Sequence, residues 1–246
     1  MSKPTIGLLI TLCSRNQNYL TLGHADIFRW LLPSLFETWE LDKFNYKLFI
    51  GFDDDDKFYL EHSKNLTKRL KTISTFTLLT GCKGNPCKAW NILLTKNINN
   101  ADYFFQVGSD IKLISKGWSS YFVNILTKND NVGMCGGVDK AYWYERLLQN
   151  ESGIIENGFF HKTHYEIFKT LFNENFKTWF SDDYITRVYG LNAKCFLCPN
   201  ILFRNINRVG QSEFNDRYLP DISIRDTWKK YANNDAEKLF NYISVN

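Results

Sequence analysis

Apolar residues come along this chain in short runs separated by amphipathic stretches. Thr5 to Cys13 is a nearly unbroken apolar run of strand length. Between Asp26 and Leu41, apolar Ile27, Leu31, Leu32, Leu35 and Phe36 recur at helical spacing around Pro33, which predicts a helix that kinks or starts late. Tyr46 to Phe52 and Ser74 to Leu79 read as strands, with a polar, basic helix from Glu61 to Lys71 between them. Tyr103, Phe104, Phe105 and Val107 form an aromatic and β-branched run bounded by Asn99-Asn100 and Gly108, the pattern of a buried central strand. Trp118, Tyr121, Phe122 and Ile125 predict a helix over Lys116 to Leu126, and Val132 to Val138 a further strand. A strand over Ile201 to Ile206 and a charged helix from about Ile224 to Tyr242 close the pattern. Strands alternating with helices predict an α/β sheet.

Length and composition narrow this. A chain of 246 residues suits one large α/β domain or two small ones, and 44% apolar with 23% charged residues marks a globular protein. Aromatics reach 16%, more than a core needs, so some are expected to line a groove. The net charge of +4 suits an anionic small molecule, but no basic run points to nucleic acid. The apolar run near the N-terminus is too short to span a membrane and carries no signal-cleavage pattern, so no transmembrane segment and a soluble, cytoplasmic protein are expected. In that setting the six cysteines, including Cys195-Phe-Leu-Cys198, read as core thiols.

The chemistry gathers at strand ends, where open α/β sheets bind ligands. The central strand runs into Gly108-Ser109-Asp110, and Asp110 is a candidate ligand or metal contact or a turn former. Ser14-Arg15-Asn16 follows the first strand. Four aspartates, Asp53 to Asp56, follow the second; they repel one another unless a cation or ligand is present, or else they cap the next helix with Lys57 and Lys64 as compensation. Thr80 to Asn91 is a glycine-containing loop opening a helix, a place that favours an anion, although it matches neither GxxxxGK[ST] nor GxGxxG. Gly136-Gly137, ahead of Asp139, permits close backbone approach or a positive φ. Ser181-Asp182-Asp183 reads as a capped helix start whose acids are favoured by the dipole or act as a base. His161 and His164 stand one turn apart, and Trp179 with Phe180 suits a sugar-stacking platform.

This order of parts, together with the segments Phe159 to Phe168 and Thr178 to Ile185 and with Val188-Tyr-Gly190, resembles the GT-A glycosyltransferases over roughly Thr5 to Gly190. The chain looks most similar to single-domain members from large DNA viruses and microbial eukaryotes, for which a viral protein would act in the host cytoplasm. The resemblance implies a Rossmann-like, mixed and mostly parallel sheet flanked by helices. It implies one domain over 1–246, with a nucleotide-binding half at 1–115 and an acceptor-binding half at 116–246.

It further implies transfer of a sugar from a nucleotide diphosphate donor, a UDP-sugar, to a hydroxyl on a glycan or glycoprotein, with inversion and with Mn²⁺ or Mg²⁺ as cofactor. Asp110 takes the position of the family's last metal-binding DxD aspartate and Gly108 that of the first, so one carboxylate is lost. Thr11, Ser14, Arg15, Ser109 and Asp53 or Asp54 fall on nucleotide-binding positions, as do Asn85, Lys88 and Asn91 through the family's loop-helix contacts. Asp183 is the expected base and Asp182 an acceptor contact or cap. His161 is a second metal ligand, and Gly137, Asp139, His164 and Trp179 are acceptor or sugar contacts. The late metal-binding histidine of many members has no counterpart after His164. The alternative is a non-catalytic nucleotide- or sugar-binding protein of the same fold.

Overall fold

The structure, a computed structural model, describes residues 2–140, 153–206 and 222–245. Within them an eight-stranded sheet has the order β3-β2-β1-β4-β7-β6-β8-β5. Its strands are β1 (Thr5–Leu12), β2 (Asn45–Asp53), β3 (Ser74–Leu79), β4 (Tyr103–Gly108), β5 (Ile111–Leu113), β6 (Met134–Asp139), β7 (Phe159–His161) and β8 (Cys195–Asn205). The contiguous block from β3 to β4 is parallel, β7 runs antiparallel between β4 and β6, and β8 is parallel to β6 with β5 antiparallel at the edge. The sheet is therefore mixed and mostly parallel. Most of its strands end on one edge, as the fold expectation required.

Helices cover both faces because the strands are apolar on both. Ile6, Leu8, Ile10, Phe105 and Val107 pack on one side, against α1 (Leu32–Thr38), α2 (Lys57–Leu70) and α4 (Trp118–Thr127). Leu9, Phe49, Phe104 and Phe160 pack on the other, against α3 (Pro86–Asn97), α5 (Thr163–Phe168), α6 (Ser181–Gly190) and α7 (Trp228–Val245). The aromatic surplus goes mostly into these layers rather than a groove: Trp118, Phe105, Phe122, Phe159 and Phe203 form one packed cluster. Pro33 acts as expected. A π-helical turn, Ile27–Leu31, precedes α1, and Pro33 sits in its first turn, where a missing N–H costs least.

The differences have local causes. The strand predicted at Ile201 begins six residues earlier, at Cys195, and carries a register shift opposite Gly137/Val138. All six cysteines are free, and only Cys195 is not buried, so the CxxC is a piece of strand. The three-residue β5 and β7 are too short to show a period. No described helix is long and apolar enough to cross a membrane.

Candidate active site

At the end of β1, Thr11 lies between Gly51 of β2 and Gly108 of β4. The loop that follows is tied down by Asp56, whose carboxylate accepts the Ser14 N–H at 2.7 Å and the Ser14 hydroxyl at 2.6 Å and caps α2 by accepting the Tyr59 N–H. Arg15 reaches from the same loop to Asp53 at 2.5 Å and to Asp55 at 3.2 Å, and Lys83 pairs with Asp55 at 2.9 Å. The four aspartates thus escape mutual repulsion by dividing the work. Asp53 and Asp56 are buried and bonded, Asp55 is paired, and Asp54 points to solvent. The compensating cations are Arg15 and Lys83, in place of the expected Lys57 and Lys64. Burial lifts the Asp53 carboxyl above its ordinary value, more than Arg15 draws it down, whereas Lys83 holds Asp55 below its own.

At the end of β4, the Asp110 Oδ1 lies 2.7 Å from where a Cβ on residue 108 would sit, so the carboxylate folds back over the strand end and a side chain at 108 would turn it aside. Asn157 accepts the Gly108 N–H at 3.3 Å, and Ser109 is buried beside it. The Asp110 carbonyl accepts the Ile206 N–H, while Asp139, at the end of β6, accepts the Asn205 N–H at 2.6 Å. Asp110, Asp139 and Asn205 therefore share one stretch of the sheet edge. Asn205 Oδ1 is buried there without a hydrogen-bond partner.

The start of α6 stands over the same edge. Its cap position is Phe180, in a left-handed conformation at φ 64°, rather than Ser181, whose hydroxyl donates to the Thr178 carbonyl. Asp182 and Asp183 occupy the first turn. One turn on, Thr186 accepts the Ile155 N–H at 2.9 Å, and Ile155 in turn covers Gly136 of β6. Both acids thus project from the end of a helix that is braced on β6. Trp179, 36% exposed, flanks them.

Several expected contacts have other duties. His161 pairs with Tyr103, the first residue of β4, so it lies at the opposite edge of the sheet from Asp110, about 17 Å away at 3.3 Å per residue. The two cannot share a cation. His164 is a core strut: its Nδ1 accepts from the Tyr189 hydroxyl at 2.6 Å and its Nε2 donates to the Thr170 carbonyl at 2.9 Å, a tautomer assigned from these partners. Burial drives its pKa down to about 4, which keeps it neutral. Gly137 is filled around by the Ile201 carbonyl and the Phe203 ring, so its lack of a side chain serves strand packing, and neither it nor Gly136 has a positive φ. Asn91 spends its amide on the backbone of Leu171 and Phe172. Asn85 caps α3 by accepting the Lys88 N–H, and the Lys88 ammonium donates to the Gly81 carbonyl at 3.1 Å. Asn157, Asn205 and Lys83 join the site without having been singled out, because only the tertiary fold brings them to it, whereas Asp56 fills the capping role offered for the acidic run.

Among the described residues no three His, Cys, Asp or Glu side chains group to hold a metal ion. What fits a hard cation is the Asp110 carboxylate, with the orphaned oxygen of Asn205 at the same strand end.

The architecture is a GT-A-like, mixed and mostly parallel α/β fold. Among solved structures it is similar to TarS from S. aureus. TarS 1–349 in complex with UDP-GlcNAc matches with a TM-score of 0.59 at 11% identity, over 94% of this chain and 66% of that one. The same fragment with UDP gives 0.51 at 11% identity over 81% and 59%, and a longer TarS structure 0.54 at 11% over 81% and 36%. The chain thus spans between about a third and two thirds of these relatives. No family model and no curated protein matches the sequence.

Proposed function

We propose that this chain is a glycosyltransferase that moves a sugar from a UDP-sugar to a hydroxyl of a glycan or glycoprotein, with inversion and with Mn²⁺ or Mg²⁺ at the donor diphosphate. The carrying observation is the convergence of Arg15-Asp53, Asp110, Asp139 and the Asp182-Asp183 helix start on one sheet edge, in a fold shared with TarS bound to UDP-GlcNAc. Asp53, buried and oriented by Arg15, accepts hydrogen bonds from the nucleoside. Asp110 is the residue that would hold the cation, with the side-chain oxygen of Asn205 at the same strand end. A bound divalent cation offsets the charge that develops on the departing diphosphate. Asp183 takes the proton of the acceptor hydroxyl as that oxygen attacks the anomeric carbon and the bond to the diphosphate oxygen breaks. Asp182 orients the acceptor, and Trp179 stacks on a sugar face.

Thermal unfolding with UDP, GDP, dTDP or CMP, each with and without Mn²⁺, tests the donor site. UDP with the metal is expected to raise the melting temperature by mass action. No rise with any nucleotide would remove the donor site. The glycine at 108 favours one other reading, a binding protein that has lost catalysis. UDP release from UDP-GlcNAc separates the two, because Asp183→Asn abolishes it in an enzyme while the UDP-dependent shift is kept, and a binding protein releases none.

A further inference from the structure

Outside the sheet-edge cleft, α3 and the strand-less segment 170–176 enclose a cavity of about 560 Å³, within the range of small-molecule sites. Its walls are fixed before any ligand arrives. Asn91 makes three hydrogen bonds of 2.8 to 3.0 Å to the backbone of Leu171 and Phe172, and Trp90 packs on Phe172 with ring centroids 5.9 Å apart. Ile92 and Phe176 give the cavity an apolar surface. Lys88, Thr95 and Lys96 line the helix side and Thr170 and Glu174 face them, a mixed set of donors and acceptors around apolar carbon. That combination suits a carbohydrate, whose C–H faces lie on apolar side chains while its hydroxyls exchange hydrogen bonds with the rim.

One end of the cavity is tied to the helix that carries the candidate catalytic acids. Its upper end is Asn85 and Lys88 at the start of α3, and between them the Cys87 N–H donates to the Lys177 carbonyl at 3.2 Å while the Cys87 thiol is hydrogen-bonded to Ser181, the first residue of the helix that carries Asp182 and Asp183. The wall of the cavity and the start of α6 are therefore one continuous piece of chain, 170–183.

We propose that this groove is an extended acceptor subsite, which holds the inner residues of an oligosaccharide so that its terminal hydroxyl reaches Asp183. The assignment to the acceptor rests on the transferase reading above. It accounts for an open, built cavity away from Asp53 and Asp110, and it makes the acceptor a chain of sugars rather than a single one.

The test uses the whole chain, fluorescently labelled, on an array of neutral and anionic oligosaccharides. Thr95 lies on the exposed side of α3, and Thr95→Trp fills the groove without touching either core. The wild type is expected to bind at least one oligosaccharide class, Thr95→Trp to lose that signal by roughly tenfold or more, about 1.4 kcal/mol, and Thr95→Ser to retain it. The UDP-dependent thermal shift should be the same in all three. Binding that Thr95→Trp leaves intact overturns the subsite, as does an absence of binding to any printed oligosaccharide. Groove-dependent binding with no nucleotide shift in the wild type leaves a carbohydrate site but removes the transferase reading. The two failures are therefore distinct.

Discussion

The Gly108-Ser109-Asp110 turn shows how a single missing side chain sets chemistry. The Asp110 Oδ1 lies 2.7 Å from the place of a residue-108 Cβ, so the present position of that carboxylate depends on the glycine. Gly108→Asp is therefore expected to turn Asp110 out of its present rotamer rather than simply add a second carboxylate beside it. Its new Cβ displaces Asp110, and the Mn²⁺-dependent part of the UDP thermal shift is expected to fall rather than rise. A larger metal-dependent shift in Gly108→Asp would show that the first position tolerates a carboxylate after all. Residue types mark Asp110, Arg15 and Asp53 as charged groups at the ends of apolar runs, and the structure sets them at strand ends. They did not foretell that His161 falls on the other edge of the sheet or that the His164 ring is buried, since spacing along the chain carries neither.

Among elements, the loop after β1 and the start of α2 act as one unit through Asp56. That carboxylate accepts from the Ser14 backbone, the Ser14 hydroxyl and the Tyr59 N–H, and it is 3% exposed. Asp56→Ala strips the helix cap and leaves the Ser14 donors unpaired, and it is expected to destabilise the fold by roughly 2–3 kcal/mol in denaturant unfolding. It should also weaken UDP binding by freeing the Arg15 loop. A variant as stable as wild type would mean that water replaces these bonds. On the other face, Asn91→Ala removes the three bonds that hold segment 170–176 to α3, with an expected loss of about 2 kcal/mol. The sequence pattern showed α2 and α3 as helices and offered the acidic run as a cap for α2, yet the tie from Asp56 to Ser14 and the bonds of Asn91 were invisible, because each joins residues more than forty positions apart.

For the whole molecule, His161 and His164 make stability depend on acid. Burial lowers both to about 4 in the folded state, against an ordinary value near 6.5 once unfolded. Between those values the unfolded chain binds protons that the folded chain refuses, so the stability they contribute is complete above about pH 6.5 and is lost as the pH falls toward 4. For fully buried His164 the loss approaches roughly 3 kcal/mol. His164→Gln, which can still bond Tyr189 and the Thr170 carbonyl, should flatten the fall in denaturant midpoint between pH 7 and pH 4.5. An unchanged slope would place the acid sensitivity elsewhere.

Alternating apolar runs and helical stripes were enough to determine an α/β sheet with helices on both faces, since those periods follow from strand and helix geometry and need no partner. They also marked the strand ends after β1, β2 and β4 as the places for polar chemistry. Tertiary structure alone decided that β7 runs antiparallel between β4 and β6 and so carries His161 to the far edge. It alone brought Asn157, Asn205 and Asp139 beside Gly108 and Asp110, and set the α6 acids over the same edge. These are matters of pairing order and direction, which depend on which strands meet in space, and a hydrophobic period carries information only about which way each side chain faces.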